Sequence, residues 1–272
     1  MNYELIDSGN GRRLERYGEY VLDRPDPEVL WQKTLAEEEW LKADAIFEDK
    51  WINKGKIPGK WEMEHSGIKF LAKLSPFKHT GVFPEQAVQW DYIFEKIKDG
   101  GQGVKVLNLF AYTGIATLFA AKAGANVTHV DSSKPAVTWA NENRALNKME
   151  DLPIRWIIDD AIKFTEREIK RGVKYDAIIM DPPVYGHGPT GEVWDFNKDF
   201  PKLLENCKQI LSDKPLFVLV NAYAVSSSSI TLANTLNDYF EKLGGQIENG
   251  ELTLKETSGG RLLSTGIWAR WG

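Results

Sequence analysis

The chain has 272 residues, of which 42% are hydrophobic and 27% charged, a composition typical of a folded globular protein. Its net charge of −5 does not favour a dedicated nucleic-acid-binding module, so a nucleic-acid partner has to be argued from local patches. The single cysteine, Cys207, excludes an internal disulfide framework and a four-cysteine zinc site. No signal-peptide pattern and no apolar run of membrane-spanning length is present. We therefore expect a cytoplasmic protein with no membrane or metal partner; the sequence predicts no oligomeric state.

Residues 1–78 lack a regular alternation of strands and helices, and we interpret them as a small β-rich accessory region. Residues 3–17 predict a hairpin around a glycine-rich turn, and residues 20–22 predict a short strand. Asp26 is placed to cap a helical turn. Residues 35–49 carry apolar side chains at helical spacing and predict a helix, whereas residues 61–74 predict a second hairpin.

The segment of residues 50–61 combines four lysines with Trp51 and Trp61. One interpretation is a surface that stacks on bases and contacts phosphates. The other, which we favour, is a solvated loop whose tryptophans pack inward. The segment alone does not establish a nucleic-acid partner.

From residue 79 onward, strands and helices alternate, which predicts a second domain over residues 79–272. The predicted strands are 104–110, 127–130, 154–158, 175–180, 215–220, 252–255 and 264–271. An amphipathic helix begins near Val88, and the other predicted helices are 115–123, 134–147, 164–171, 200–211 and 229–243. This order is typical of an α/β fold with a doubly wound, mostly parallel seven-stranded Rossmann-like sheet that ends in an antiparallel hairpin.

The first strand–helix–strand unit, residues 104–131, contains the most informative residues. Asp131 follows the second strand, and ligands of open α/β sheets bind beyond the carboxyl ends of the strands. A carboxylate there can accept hydrogen bonds from both ribose hydroxyls, which predicts a nucleoside-containing cofactor. Phe110 and Tyr112 stand where a dinucleotide site requires glycine. This argues against a pyrophosphate but is compatible with S-adenosylmethionine, which carries no phosphate.

Several short motifs follow one another along residues 79–272, and their order is more specific than any one of them. They are Thr80-Gly81 with Phe83, the run 106–114, Asp131 with Ser132, Asp160 with Ala161, Asp181-Pro182-Pro183, and the run 266–270. With these motifs the chain resembles the class I S-adenosylmethionine-dependent methyltransferases, and among them the branch that modifies large-subunit ribosomal RNA. The resemblance implies the methyltransferase version of the predicted fold, an S-adenosylmethionine cofactor and an RNA substrate.

The resemblance also implies roles for individual residues. The methionine end of the cofactor would be held by the turn after the first strand, with Asn108, Phe110, Tyr112, Thr113 and Gly114. Asp131 and Ser132 would bind the ribose, and Asp160 with Ala161 the adenine, although Asp160 could be only a helix cap. Thr80 and Phe83 would close over the cofactor. Asp181, Pro182 and Pro183 would lie between the methyl donor and the acceptor base, with Tyr185 as a further catalytic candidate and Asn221 as a possible base contact.

The residues also restrict the chemistry. Methylation of cytosine C5 requires a cysteine nucleophile, but the segment after the fifth strand has none and Cys207 lies in a predicted helix. We therefore expect direct methyl transfer without a covalent intermediate. Val184 stands where amine methyltransferases of nucleic acids carry an aromatic residue, which disfavours an exocyclic amine and leaves a ring nitrogen compatible. His79 and His187 are interpreted as incidental loop histidines.

Two alternatives of different classes remain open at this level. The chain could methylate a base in ribosomal RNA, with the segment 50–61 and the loop 184–197 forming the RNA surface. It could instead methylate a protein or a small molecule, or bind the cofactor without catalysis. Its acidity favours the second alternative and the resemblance favours the first.

Overall fold

The computed structural model describes all 272 residues, which divide into two compact units. The N-terminal unit consists of Met1–Ala87 with Thr253–Thr265, and the sheet unit consists of Val88–Leu252 with Gly266–Gly272. The sequence predicts an accessory region over residues 1–78 and a second domain over residues 79–272. This assignment of separate roles to the two regions stays a prediction. No helix in either unit is long and apolar enough to cross a membrane.

The N-terminal unit is rich in β-structure. Its strands are β1 (Tyr3–Gly9), β2 (Arg12–Tyr17), β3 (Tyr20–Pro25), β4 (Ala45–Phe47), β5 (Trp51–Asn53), β6 (Trp61–His65) and β7 (Ile68–Ala72). Its helices are α1 (Glu37–Trp40) and a 3₁₀ turn (Pro84–Gln86). Strands β1 to β5 form one sheet in chain order, whereas β6 and β7 form a separate hairpin. Leu5 and Val29 share a core with Leu254 and Leu263, which explains why residues 253–265 belong to this unit.

The helix predicted over residues 35–49 is wrong. Only the four residues of α1 are helical, and Ala45 and Ile46 instead pair in parallel with Leu22 and Asp23 of β3. The buried Asp44 accepts a hydrogen bond from the backbone N–H of Val21 at 2.9 Å, which fixes the chain beside the sheet. The helical spacing of apolar residues is overridden here because tertiary strand pairing outweighs weak local propensity.

The sheet unit has the predicted α/β architecture, although the bounds of several elements differ from the prediction and one hairpin was not predicted. Its strands are β8 (Lys105–Leu109), β9 (Asn126–Asp131), β10 (Ile154–Ile158), β11 (Ala177–Met180), β12 (Tyr185–His187), β13 (Val193–Asp195), β14 (Phe217–Ala222), β15 (Ile247–Lys255) and β16 (Leu262–Trp271). Its helices are α2 (Ala87–Gly100), α3 (Ile115–Lys122), α4 (Lys134–Leu146), α5 (Ala161–Arg171), α6 (Phe196–Ile210) and α7 (Ser229–Phe240), and a 3₁₀ turn (Glu241–Leu243) follows α7.

The seven-stranded sheet has the order β10-β9-β8-β11-β14-β16-β15, with β16 antiparallel to β14. The central pairs β8–β9, β9–β10, β8–β11 and β11–β14 are all parallel. This confirms the doubly wound, mostly parallel sheet with a C-terminal hairpin. The order reverses between β8 and β11, and an open α/β sheet binds its ligand at such a reversal.

Both faces of this sheet are covered by apolar side chains, as a parallel sheet requires. On one face, Leu107 and Ile178 pack with residues of α5, α6 and α7, such as Phe164 and Leu203. On the other face, the alternate strand residues pack against α2 and α3. The polar edge formed by the carboxyl ends of the strands is thereby left for a ligand.

Two further differences from the predicted elements lie after β11. Helix α6 begins at Phe196 rather than at residue 200, because Asp195 caps it by accepting hydrogen bonds from the N–H groups of Asn197 and Lys198. The segment between β11 and α6, predicted as a loop, contains the antiparallel hairpin β12–β13.

Candidate active site at the carboxyl edge of the sheet

The turn between β8 and α3 has an unusual backbone. Phe110, Tyr112 and Gly114 all have positive φ angles, of 54°, 47° and 76°. Only the glycine adopts this region without steric cost, whereas a non-glycine residue there costs about 1–3 kcal/mol unless its surroundings hold it. The chain therefore retains the backbone of a glycine-rich turn with two aromatic side chains in it.

The aromatic side chains anchor this turn. The Phe110 ring lies 4.9 Å from the ring of Trp194, and the Tyr112 ring lies 6.2 Å from that of Trp139. The backbone is held as well, since the Ala111 N–H donates to the carbonyl of Val130 at 3.1 Å. These contacts compensate the backbone strain and hold the turn in place.

Gly114 is required for packing as well as for its φ angle. A Cβ atom at this position would lie 2.8 Å from the Cβ of Ala140 on α4, which is closer than two carbon atoms can approach. Asn143 of the same helix donates from Nδ2 to the carbonyl oxygen of Thr113 at 2.9 Å. Helix α4 thus packs directly on the turn and holds it by a hydrogen bond.

Asp131 lies at the end of β9, where the sequence predicts a ribose-binding carboxylate. Its Oδ2 accepts from the N–H of Tyr112 at 2.7 Å, and its Oδ1 accepts from the N–H of Ser133 at 2.8 Å. Burial raises the pKa of Asp131, and these two N–H groups offset only part of that effect. Each carboxylate oxygen can accept a second hydrogen bond, so the side chain can still bind two hydroxyl groups.

The charge of Asp131 also affects its neighbour. Burial, together with this carboxylate, raises the pKa of Tyr112 to about 12. The Tyr112 hydroxyl is therefore protonated at physiological pH, so it can donate a hydrogen bond but cannot act as a base.

Asp160 is the N-cap of α5, and its Oδ1 accepts from the N–H of Lys163 at 2.9 Å. The alternative that Asp160 caps a helix is therefore correct. Capping uses one carboxylate oxygen, and Oδ2 remains able to accept from an amino group. Both functions are compatible in one side chain.

A cleft at this edge brings several predicted residues together. It is lined by residues from the ends of β8, β9 and β10 and from the segment 183–194, namely Phe110, Val130, Asp131, Ser132, Asp159, Asp160, Ala161, Pro183, Gly186, His187, Gly188 and Trp194. The predicted ribose and adenine residues thus share one cavity. Asn108, Tyr112, Thr113, Gly114, Asp181, Pro182 and Tyr185 do not line it.

Sequence reasoning missed the contribution of the β12–β13 hairpin to the cleft. The Trp194 indole N–H donates to the carbonyl of Pro183 at 2.6 Å, and the Ser132 hydroxyl donates to the carbonyl of His187 at 3.2 Å. Lys163 of α5 pairs with Glu192 of the hairpin. The sequence signal for it was Trp194, a large aromatic residue within a segment rich in glycine and proline.

The predicted catalytic segment follows β11. Asp181 is half-buried, and its N–H donates to the carbonyl of Leu109 at 3.4 Å. Pro182 is buried, whereas Val184 and Tyr185 are 42% and 57% exposed. An exposed tyrosine directly after a fixed turn offers an aromatic surface to a large substrate.

Two further polar side chains near the acceptor side of the site are buried. Asn221 is buried near the end of β14, and its Oδ1 atom is enclosed without a hydrogen-bond partner. Cys207 is fully buried in α6, where burial raises the pKa of its thiol. Because the thiolate is the nucleophilic form, Cys207 is unsuited to covalent catalysis.

Asn108 lies on β8, two residues before the turn begins at Phe110. The residue is 3% exposed, and its Nδ2 donates to the Thr117 hydroxyl of α3 at 3.0 Å. Thr113, the remaining residue of the predicted methionine-binding set, is buried in the turn.

Thr80 and Phe83 belong to the N-terminal unit, together with His79. Thr80 is fully buried, and Phe83 precedes the 3₁₀ turn Pro84–Gln86 and packs 5.4 Å from the ring of His79. Burial, with the charges of Arg24 and Lys78, lowers the pKa of His79 to about 4, so this histidine is neutral at physiological pH. The predicted closure of Thr80 and Phe83 over a cofactor stays a prediction.

No group of three or more histidine, cysteine, aspartate or glutamate side chains is arranged to hold a metal ion in either unit.

Comparisons with known proteins identify the family of this chain. Residues 35–236 match the model of a family described as S-adenosylmethionine-dependent methyltransferase. The chain is 41% identical to the S-adenosylmethionine-dependent methyltransferase of Agrobacterium tumefaciens, whose crystal structure superposes with a TM-score of 0.96 over 100% of this chain and 90% of that one.

Curated relatives are similar over a shorter part of their length. The chain is 32% identical over 193 residues to the ribosomal RNA large subunit methyltransferase K/L of Alteromonas mediterranea, and 36% identical over 152 residues to that of Pseudoalteromonas atlantica. These matches cover 69% and 55% of this chain but only 25% and 20% of the relatives. The chain thus spans a quarter or less of those proteins.

Proposed function

Because this chain belongs to the family of S-adenosylmethionine-dependent methyltransferases, we propose that it transfers the methyl group to a base in RNA, and specifically in ribosomal RNA. The cofactor follows from the family, and the residues of the cleft fit it. Asp131 retains acceptor capacity for two hydroxyls, and Asp160 retains one oxygen for an amino group. When bound, S-adenosylmethionine supplies the activated methyl group.

The RNA substrate is supported by the curated relatives, which are named ribosomal RNA large subunit methyltransferases. Since the chain spans a quarter or less of their length, the likeness does not by itself identify the substrate. The observation that carries the proposal is the position of Tyr185. It is exposed two residues after Pro183, which lines the cleft, so an unstacked base could stack on it beside the methyl donor.

The chemistry we propose is direct transfer to a ring nitrogen. The nucleophile, the methyl carbon and the sulfur must lie in line, and positioning alone can supply much of the rate. The only thiol is buried, with a raised pKa, which agrees with a mechanism lacking a covalent intermediate. Asp181 and Asn221 would orient the base through hydrogen bonds, and Tyr185 would stack on it.

Of the two tryptophans in residues 50–61, Trp61 is withdrawn from any RNA surface by burial, whereas Trp51 is half-buried. Trp61 is buried and donates its indole N–H to the carbonyl of Tyr17, and Trp51 donates to the carbonyl of Phe77. The favoured interpretation of inward packing is therefore correct for Trp61. What remains for phosphate contacts is a set of exposed lysines, Lys50, Lys54, Lys56 and Lys60, among which Lys56 is paired with Asp44.

A second candidate function, methylation of a protein or a small molecule, is favoured by the net charge of −5. The two candidate functions predict that different fractions, RNA or else protein and small molecules, accept a radioactive methyl group. The purified protein should be incubated with methyl-tritiated S-adenosylmethionine and, separately, with total RNA, protein and metabolite fractions from cells that lack this gene. Such cells supply substrate that has not already been methylated.

We expect label in the RNA fraction, in a single modified nucleoside after complete digestion. Tyr185→Ala should reduce RNA methylation while leaving cofactor affinity unchanged, and Tyr185→Phe should retain activity because stacking needs only the ring. Label in the protein or metabolite fraction, with none in RNA, would refute the proposed substrate.

A further inference from the structure

The hairpin β12–β13 has two unlike faces. His187 is the register partner of Val193, and Tyr185 lies on the same face as both, whereas Gly186 and Trp194 form the other face. Trp194 is 4% exposed and lines the cleft, but Tyr185 and Val193 are 57% and 55% exposed. The inner face of the hairpin therefore closes the cofactor cleft, and its outer face presents ring and apolar surface beside that cleft.

The base of the hairpin is supported independently of its tip, residues 188–192. The Trp194 ring packs on Phe110, and its indole N–H donates to the carbonyl of Pro183. At the start of α6, the N–H of Phe196 donates to the carbonyl of Val184 at 2.9 Å. None of these contacts involves residues 188–192, so the inner face stays in place even when the tip is loosened.

The tip is held by one side chain, that of Glu192. Its Oε2 accepts from the N–H of Thr190 at 2.9 Å, and its Oε1 accepts from the Thr190 hydroxyl and from the ammonium group of Lys163 on α5. These hydrogen bonds lower the pKa of Glu192 to about 2, so the side chain is ionised at physiological pH. Lys163 thereby connects the tip to a helix of the main fold.

Glu192 also lies directly against the backbone of the tip. A Cβ atom on Gly188 would come within 2.8 Å of the Cβ of Glu192, and the Gly188 N–H donates to the Glu192 carbonyl at 2.8 Å. The Glu192 side chain is only 14% exposed, and it does not line the cleft. A change at Glu192 therefore acts on the tip first and not on the cofactor.

The position of the tip determines the orientation of the Tyr185 ring. His187, which directly precedes the tip, meets that ring edge-on, with the centroids 5.3 Å apart and the planes at 88°. The carbonyl of His187 also accepts from the Ser132 hydroxyl at 3.2 Å. Because Tyr185 is otherwise exposed, its ring depends on His187 for its orientation.

We propose that Glu192 is a positioning residue for methyl transfer, which holds the hairpin tip to Lys163 and thereby keeps His187 and the Tyr185 ring oriented for the acceptor base. This inference rests on the proposed function, in which Tyr185 stacks on the acceptor. Glu192 acts through these side chains and is not a catalytic residue.

The first test separates acceptor use from cofactor binding. In Glu192→Ala, kcat/KM for RNA methylation should fall about tenfold, whereas the affinity for S-adenosylhomocysteine by calorimetry should change less than about twofold, since Trp194 still supports the inner face. Glu192→Gln should lose less, because its amide oxygen can still accept from the N–H of Thr190. Equal losses of kcat/KM and of affinity would show that Glu192 serves the cofactor and would overturn the proposal.

The second test is a double-mutant cycle with Tyr185→Ala. If Glu192 acts through the Tyr185 ring, then Glu192→Ala should lower kcat/KM by less than about twofold when Tyr185 is already absent. A further tenfold loss in the double variant would mean that the two residues act independently, which would overturn the positioning role.

The third test needs no acceptor. Hydrogen exchange of the amides of residues 188–192 should become about tenfold faster in Glu192→Ala, because the tip opens more often. The matched control is Glu166→Ala, which removes another carboxylate paired with a lysine beside α5, Lys202 at 2.8 Å, without touching the hairpin. It should leave both the exchange of the tip and kcat/KM unchanged. Unchanged exchange in Glu192→Ala would overturn the proposal.

Failure of this inference can be distinguished from failure of the proposed function. If the wild-type protein labels no RNA, the RNA substrate is refuted, and the kinetic tests are made with the fraction that accepts the label. If Tyr185→Ala methylates its acceptor normally, the proposed stacking and this inference fall together. Normal methylation in Glu192→Ala, with Tyr185→Ala impaired, would refute this inference alone.

Discussion

Each of the two units contains a carboxylate whose pKa is shifted by its surroundings, and the two are held in opposite ways. Glu15 of the N-terminal unit is fully buried and bonded to Arg24 through both oxygens, at 2.7 and 2.8 Å, with Tyr3 donating at 2.8 Å. Asp131 of the sheet unit has no cationic partner and is held by two backbone N–H groups.

The difference shows in their pKa values. Burial acts to raise the pKa of Glu15, but Arg13 and Arg24 outweigh it and the pKa is lowered. Burial dominates at Asp131, and its pKa is raised. A carboxylate saturated by cations stabilises a fold, whereas one that lacks a cation and retains free acceptor sites is suited to a ligand.

The largest expected effect is that of Glu15→Gln. Arg24 would lose the carboxylate with which it is paired and Arg13 would keep only Asp26, so the free energy of unfolding should fall by about 3–5 kcal/mol in urea denaturation. The control is Glu4→Gln, which removes a surface pair with Arg16 between β1 and β2 and should cost less than about 1 kcal/mol. An equal decrease in the free energy of unfolding in both variants would contradict the conclusion that Glu15 is stabilised by its buried arginine partners.

The next effect should be seen in Asp131→Ala. Hydrogen bonds to a charged group contribute about 1.5–3 kcal/mol each, so the affinity for S-adenosylhomocysteine should fall about 10- to 150-fold by calorimetry. Asp131→Asn should lose less affinity, because it keeps one acceptor oxygen. Unchanged binding in Asp131→Ala would refute the role of this carboxylate in the site.

The two carboxylates should also respond oppositely to acid. The pKa of Glu15 is lowered, so its stabilisation is complete above the unfolded pKa of about 4.3 and is lost as pH falls through the lower folded value. The pKa of Asp131 is raised, so acid protonates this group in a range above the ordinary aspartate value. Protonation removes an acceptor of the ribose hydroxyls.

We therefore expect the affinity for S-adenosylhomocysteine to decrease as pH falls through that range, by up to about tenfold per pH unit, while the protein stays folded. Calorimetry across this range, with circular dichroism at each pH, would measure both quantities. Asp131→Asn should remove the pH dependence. If the dependence persisted in that variant, another group would be responsible for it.

The smallest effect should come from Ser133→Ala. The Ser133 hydroxyl caps α4 by accepting from the N–H of Ala136, whereas its backbone N–H holds Asp131. Loss of the cap should lower the free energy of unfolding by about 1 kcal/mol, with no change in affinity for S-adenosylhomocysteine. A loss of affinity would show that the side chain, and not the backbone, positions Asp131.

Much of the sheet unit could be predicted because its signals are local. Covered parallel strands are continuous apolar runs, and a carboxylate that follows one lies at the ligand-binding edge by topology alone. Asp131, Asp160 and Pro183 therefore line the cleft as the order of elements implied. The family resemblance then supplied the cofactor.

The secondary-structure predictions fail in segments whose conformation is decided by long-range contacts rather than by the local sequence pattern. Residues 45–47 pair with β3 although their spacing is helical. The β12–β13 hairpin carries neither strand alternation nor a two-residue turn, so only its contacts through Trp194 and His187 reveal that it lines the cleft. The hydrogen bond between Asn108 and Thr117 depends on which face of the sheet α3 covers, and this does not follow from spacing.

The sequence by itself determined the order of elements, the strand-end acids and the absence of a usable thiol, because each depends on residues close together in the chain. The tertiary structure decided how each polar side chain is satisfied, and therefore which acid is structural and which is available to a ligand. The opposite pKa shifts of Glu15 and Asp131 cannot be read from the sequence, since the pKa of a carboxylate shielded from water depends on neighbours that only folding brings within hydrogen-bonding distance.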